Sequence, residues 1–309
     1  MRTVLIAGAA GFLGRHVAQE AERRDVTLAL MSHRRPVHAT GPGRRVVSAD
    51  LADPDSLRGV CEGVDVLLHC ASYIGTTPEA NESVNARGTR NLLAEAHRAD
   101  VPRIVYVSTA SVYGRGTFRG AGPAQLVRNP GSPTSLSRAA AEDAVLEAGG
   151  VVLRPHLVYG PGDTWMVPGL VRLLRALPGT VEGWTARISV ISVRDLARLV
   201  VGSGLAPAAD LTSNTYHATH PVPVTSETLL RAAAACALLT WPQRRLSVPQ
   251  ARELLAADSQ SSRALDMLRT DHWFDGMPLW RDLRLVPSPE FAADFPESAQ
   301  WYRRTLLPA

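Results

Sequence analysis

The run Gly8-Ala9-Ala10-Gly11-Phe12-Leu13-Gly14 follows a short β-branched and apolar stretch, Thr3–Ala7, and precedes Arg15–Arg24, which has helical periodicity. Glycines spaced G-x-x-G-x-x-G between a strand and a helix constrain the fold strongly. Without Cβ atoms, the backbone amides and the helix N-terminus can close on a pyrophosphate. A structural tight turn needs only one or two of these glycines, so Gly8, Gly11, Phe12, Leu13 and Gly14 are assigned to a dinucleotide-binding βαβ unit.

The alternation begun here continues along the chain. Val26–Met31, Arg45–Ser48, Val64–Cys70, Ile104–Ser108 and Val151–Arg154 read as strands, and Asp53–Cys61, Asn81–Ala99 and Ser135–Ala148 as helices. Strands separated by helices predict an α/β fold, a Rossmann-type doubly wound parallel sheet. From His156 onward, turns such as Tyr159-Gly160-Pro161-Gly162 and recurring prolines break the pattern. All six tryptophans, Trp165, Trp184, Trp241, Trp273, Trp280 and Trp301, lie in this half. The expected division is residues 1–155 plus about 188–215 as the dinucleotide-binding domain, with a return to the sheet near Ile188–Val201. Residues 156–187 and 216–309 form the smaller substrate lobe.

A chain of 309 residues, 45% hydrophobic, can bury such a core. Its 33 cationic residues are all arginine, which excludes any mechanism that needs a lysine amine. The net charge of +4 is spread along the chain in place of the dense patch expected of a nucleic-acid binder. Cys61, Cys70 and Cys236 have no metal-ligand spacing and are too few for a disulfide framework, which suits a reducing cytoplasm. No stretch reaches the ~20 apolar residues of a membrane span, and Met1-Arg2 leads into a strand without a signal-peptide layout. The expectation is a soluble cytoplasmic protein, monomer or homodimer, with a small hydrophobic ligand and neither nucleic acid nor membrane as partner.

The end of the second strand selects between cofactors, because a carboxylate there binds a ribose 2′-hydroxyl whereas arginine accommodates a 2′-phosphate. Ser32-His33-Arg34-Arg35 contains no acid, which predicts NADPH/NADP with Arg34 as the phosphate clamp. Asp50-Leu51, after the third strand, stands where an adenine ring would rest.

Taken together, these motifs resemble the extended branch of the short-chain dehydrogenase/reductase superfamily, the epimerases, dehydratases and their reductase relatives. The resemblance also rests on His69-Cys70-Ala71, Asn85-Ala86-Arg87-Gly88-Thr89 and Val107-Ser108-Thr109-Ala110-Ser111-Val112-Tyr113-Gly114. It continues through Leu153-Arg154-Pro155, Tyr159-Gly160-Pro161-Gly162-Asp163 and Val193-Arg194-Asp195-Leu196-Ala197. It implies that Cys70, Ala71, Ser72, Asn85, Arg138 and Pro155 contribute to the cofactor site.

The family also implies a serine or threonine after strand five and a Tyr-x-x-x-Lys pair on the next helix. The first survives as Thr109, but Thr134 stands in the tyrosine position and Arg138 in the lysine position. A threonine hydroxyl is a far weaker acid than a phenol of pKa about 10, and arginine cannot relay a proton. Three readings follow: an NADPH-dependent ketoreductase with its proton from elsewhere, a catalytically silent NADP-binding regulator or scaffold, and a sugar-nucleotide-type epimerase or dehydratase using other residues.

Under the first reading, His156 is a candidate acid because histidine ordinarily titrates near neutral pH. Tyr73 is another, Ser108 and Thr109 can hold a carbonyl oxygen, and the substrate itself can supply the proton. Tyr113, Trp165 and Met166 are assigned to the substrate wall, and the tryptophans together with Met277 suggest an aromatic-lined cleft. A lysine-free chain without the tyrosine looks most like aromatic polyketide ketoreductases of the angucyclinone type, with a role in antibiotic biosynthesis.

Overall fold

The computed structural model describes residues 1–37, 43–182 and 184–307. Its centre is a seven-stranded sheet formed by β1 (Arg2–Ala7), β2 (Val26–Ser32), β3 (Arg44–Ser48), β4 (Val66–His69), β5 (Arg103–Val107), β6 (Val151–Arg154) and β7 (Thr215–His217). The strand order is β7-β6-β5-β4-β1-β2-β3, and every pairing is parallel. β4, β6 and most of β1 are buried on both faces, as a parallel sheet covered by helices requires. Val4, Ile6, Leu28 and Val105 pack on one side with the helix Val193–Leu205, and Leu5, Ala29, Leu67 and Tyr106 on the other with the helix Gly88–Arg98.

Three sequence expectations require correction. Asp53–Cys61 forms helix only over Pro54–Leu57, since Gly59 adopts a φ of +82° that ends the run. Asn81–Ala99 is divided: a π-helical turn over Glu82–Arg87 separates Pro78–Asn81 from Gly88–Arg98. The return to the central sheet is β7, not the run near Ile188–Val201. That run carries buried Val193, Leu196, Ala197, Val200 and Val201 at the spacing of one helical face, and it folds as Val193–Leu205.

A second sheet has the order Val224–Thr225, Arg187–Ile188, His272–Phe274, Phe118–Ala121; three of its strands follow β6 and the last comes from the segment between β5 and β6. A separate apolar cluster surrounds the helix Met166–Ala176 and includes Trp184, Leu229, Phe295 and Tyr302. The terminal helix Phe291–Leu306 ties this region to the Tyr159–Asp163 loop: Tyr159 donates to Asp294, and Tyr302 donates to Asp163 while accepting the Gly160 amide. No described helix is long and apolar enough to cross a membrane.

Candidate active site

The glycine turn sits at the C-terminal end of β1, and the helix Phe12–Ala21 starts from Gly11 with no side-chain cap. The first-turn amides therefore have no side-chain acceptor, which leaves an N-terminus suited to an anion. Space dictates the glycines. A Cβ on Gly14 would stand 2.0 Å from the Gly8 carbonyl oxygen, and one on Gly8, whose φ is +85°, would stand 2.7 Å from the Ala71 backbone. Cys70 lies beside the turn, its amide bonded to Ala7 O. This cradle fits a dinucleotide pyrophosphate.

Ser32 closes β2, and the next residues turn outward. His33 Nδ1 lies 3.6 Å from Asp50 Oδ2, while Arg34 and Arg35 are exposed beside them. Leu51 is buried under the helix Gly88–Arg98, where a Cβ on Gly88 would approach its side chain to 2.8 Å.

The helix Pro133–Glu147 starts with a capping box in which Ser132 and Ser135 each receive the other's backbone amide. This sets Thr134 and Arg138 on the inner side. The Thr134 hydroxyl donates to Gly75 O at 3.1 Å. Arg138 is 7% exposed and donates to Ser72 Oγ at 2.8 Å and to the Val107 carbonyl. Asn85 holds the adjoining loop by accepting the Tyr73 amide at 2.8 Å and donating to Tyr73 O at 2.9 Å. The Tyr73 ring lies over Gly75, where an added Cβ would stand 2.5 Å from its hydroxyl. Of the acids named from sequence, Tyr73 thus lies beside the residue that Thr134 contacts.

Beyond β5, Thr109 caps a short 3-10 turn by accepting the Ser111 amide, and Ser108 Oγ is buried with no partner among the described residues. His156 follows Pro155, whose carbonyl accepts the Ala110 amide. The His156 ring stacks on His272 with centroids 5.8 Å apart and meets the Phe274 edge at 5.5 Å. Its Nε2 is buried and has no partner among the described residues. Burial first, then the nearby His272 and His217, lower its pKa to about 3. That direction favours the neutral imidazole, a hydrogen-bonding group in place of the near-neutral acid expected from the sequence.

Sequence reasoning did not find the polar chain behind this wall. Glu142, fully buried, receives Arg154 Nε at 2.9 Å and Nη2 at 2.6 Å. Arg154 Nη1 donates to the Tyr113 hydroxyl at 2.7 Å, and that hydroxyl lies 2.7 Å from His217 Nε2. Arginine can only donate, so the Tyr113 oxygen accepts from Arg154, and the direction of its contact with His217 Nε2 follows the imidazole tautomer. Tyr113 is only 2% exposed and its hydroxyl is committed to this chain; its ring packs on Phe118 and Phe274. Trp165 is 58% exposed, whereas Met166 is buried at the start of its helix, whose first amides Asp163 caps.

The sequence model of the NAD dependent epimerase/dehydratase family matches residues 4–217. A 2-alkyl-3-oxoalkanoate reductase of Stenotrophomonas maltophilia is 29% identical, over 92% of this chain and 94% of that protein. A 4-hydroxy-2-methyl-3-oxo-4-farnesyl-3,4-dihydroquinoline-1-oxide ketoreductase of Stigmatella aurantiaca is 29% identical, over 57% of this chain and 55% of its own length. Among solved structures, the Bordetella bronchiseptica enzyme WbmH in complex with NAD+ superposes with a TM-score of 0.77 at 20% identity, covering 99% of this chain and 100% of that one. The family match spans the glycine turn, the Thr134–Arg138 helix and β7, and on that ground the chain belongs to the NAD dependent epimerase/dehydratase family.

Proposed function

We propose that the protein reduces a ketone on a hydrophobic substrate of aromatic polyketide type, using NADPH as hydride donor. Oxidoreduction is supported by relatives named as an oxoalkanoate reductase and a quinoline-oxide ketoreductase. The cofactor choice rests on Arg34 and Arg35, exposed at the end of β2 with no acid among Ser32–Arg35. Bound at the glycine turn, NADPH supplies the hydride; the chain supplies position and polarity.

The observation that carries the mechanism is the state of three of the site's polar groups. Thr134 is a weak acid turned onto Gly75 O, Arg138 is held by Ser72 and the Val107 carbonyl, and His156 is neutral. In this reading Ser108 or Thr109 and the His156 ring hold the ketone oxygen, and Trp165, which is exposed, borders the cleft. Hydride addition leaves an alkoxide. A phenol beside the carbonyl, with a pKa near 10, neutralises it within the substrate.

Two measurements test the reading. NADPH should bind at least tenfold more tightly than NADH, about 1.4 kcal/mol, and Arg34→Ala should erase the difference. Equal affinities in the unaltered protein would overturn the cofactor assignment. Turnover is then compared for a ketone and its phenol methyl ether, beside His156→Ala and Tyr73→Phe. Reduction of the free phenol alone, surviving in both variants, supports a substrate-derived proton. Equal reduction of both ketones with Tyr73→Phe inactive would assign the acid to Tyr73, and failure of every ketone despite tight NADPH binding would leave a silent cofactor binder.

A further inference from the structure

On the outer face of the second sheet lies a recess of about 490 Å³ with an unbalanced lining. Thr117 and Arg119, Thr185 and Arg187, and Arg269 and Asp271 border it. They sit at or just before the starts of the strands Phe118–Ala121, Arg187–Ile188 and His272–Phe274, which run parallel as neighbours. Successive residues of a strand point to opposite faces. Phe118 and His272 pack with each other toward the aromatic wall of the candidate active site, so Arg119 and Asp271 face the other way.

Three guanidinium groups here meet one carboxylate, and that carboxylate is already engaged. Asp271 Oδ2 accepts Arg119 Nε at 2.8 Å, and its Oδ1 accepts the Arg187 backbone amide at 2.8 Å. Arg269 Nε donates to the Glu182 carbonyl at 3.0 Å. In Arg119 and Arg269 the inner nitrogen therefore fixes the side chain, and the terminal fork has no hydrogen-bond partner among the described residues. Two positive charges exceed the single negative one, and like charges held around one recess repel each other unless an anion lies between them. Fixed guanidinium forks match phosphoryl oxygens in a bidentate manner, and the Thr117 and Thr185 hydroxyls add donors for a third oxygen.

We propose that this recess is a binding site for a phosphoryl group, distinct from the glycine turn and on the opposite face of the second sheet from His156. Two sources share this chemistry: a small phosphorylated metabolite, and the phosphopantetheine arm of a carrier protein. The site lies outside the assignment of NADPH and ketone and does not depend on it.

Calorimetric titration of inorganic phosphate and of 4′-phosphopantetheine into the full-length protein, with NADPH at saturation, provides the test. NADPH keeps the probes from the glycine turn; phosphate bound there would appear as a second site that the Arg119 and Arg269 changes leave unaltered, and it is fitted separately. The expected result is one phosphate site that weakens at least tenfold in Arg119→Gln/Arg269→Gln. Arg269→Gln alone, which leaves the Asp271 contacts intact, should weaken it at least threefold and serves if the double variant misfolds. Phosphopantetheine binding at least tenfold tighter than phosphate would identify the carrier arm as the source; equal affinities would identify a small phosphorylated metabolite. Phosphate affinity unchanged in the variants, or no binding to the wild type at ~10 mM, would overturn the proposal.

Discussion

The glycine turn and the first turn of the helix Pro133–Glu147 differ in how far they keep the family pattern. At the turn, Cβ atoms on Gly8 or Gly14 would strike backbone, which cannot yield as a side chain can. At the helix, Thr134 and Arg138 stand where the family resemblance puts its acid pair, and both settle into hydrogen bonds with neighbouring loop and strand residues. Close packing of the turn on itself and on Ala71 is a steric demand that only glycine meets. Proton donation is a chemical role that another residue or the ligand can assume, and the helix survives its loss because Ser132 and Ser135 still cap it.

The largest expected effect compares these parts with the buried imidazoles behind them. Burial, assisted by Arg138 at His69, by His272 and His217 at His156, and by Arg154 at His217, lowers each pKa to about 3. Between about pH 6.5 and pH 3 the unfolded chain binds protons that the folded chain refuses. Stability present above pH 6.5 is therefore lost as the pH falls through that window, at up to about 1.4 kcal/mol per pH unit for each imidazole. Circular dichroism during acid titration should show unfolding above pH 4, and a fold equally stable at pH 7 and pH 4 would contradict this account.

A smaller loss is expected at the turn itself. Gly14→Ala places a Cβ 2.0 Å from the Gly8 carbonyl oxygen, so the turn must open. NADPH affinity should fall at least 100-fold, about 2.7 kcal/mol, in a titration under conditions where the variant stays folded. Unchanged affinity would remove the steric half of the comparison.

The two regions also differed in how legible they were. β1 to β6 could be read because β-branched and apolar runs between helical stretches mark buried parallel strands, and the glycine spacing located the turn. β7 could not: Thr215–His217 is three residues long and flanked by Asn214 and Ala218, too short for any periodicity. With β7 unread, His217 had no place beside Tyr113. Leu153-Arg154-Pro155 was recognised as a motif, yet nothing in it names Glu142 as the partner of Arg154, a contact that exists only once β6 packs on the helix Pro133–Glu147. His272 was hidden for the same reason, since it reaches His156 through the second sheet. The neutrality of His156 depends on burial and on these distant neighbours, so local sequence suggested the ordinary value.

The smallest expected effect is at the helix. Thr134→Ala removes a hydroxyl that bonds Gly75 O and is too weak an acid to supply the ~10²–10⁴-fold typical of acid catalysis. Turnover at saturating NADPH should stay within about tenfold of wild type. A loss beyond about a thousandfold with cofactor affinity intact would make Thr134 the acid and erase the contrast with the turn.

The central claim is that the substrate, not the protein, supplies the proton. Its most direct test is the pH dependence of kcat above pH 6 for a series of phenolic ketones whose phenol pKa is varied by ring substituents. If the phenol is the acid, the inflection moves with the phenol pKa across the series and is the same in wild type and Tyr73→Phe. An inflection that stays at one pH for every substrate, and disappears in Tyr73→Phe or His156→Ala, would place the acid in the protein and contradict the account.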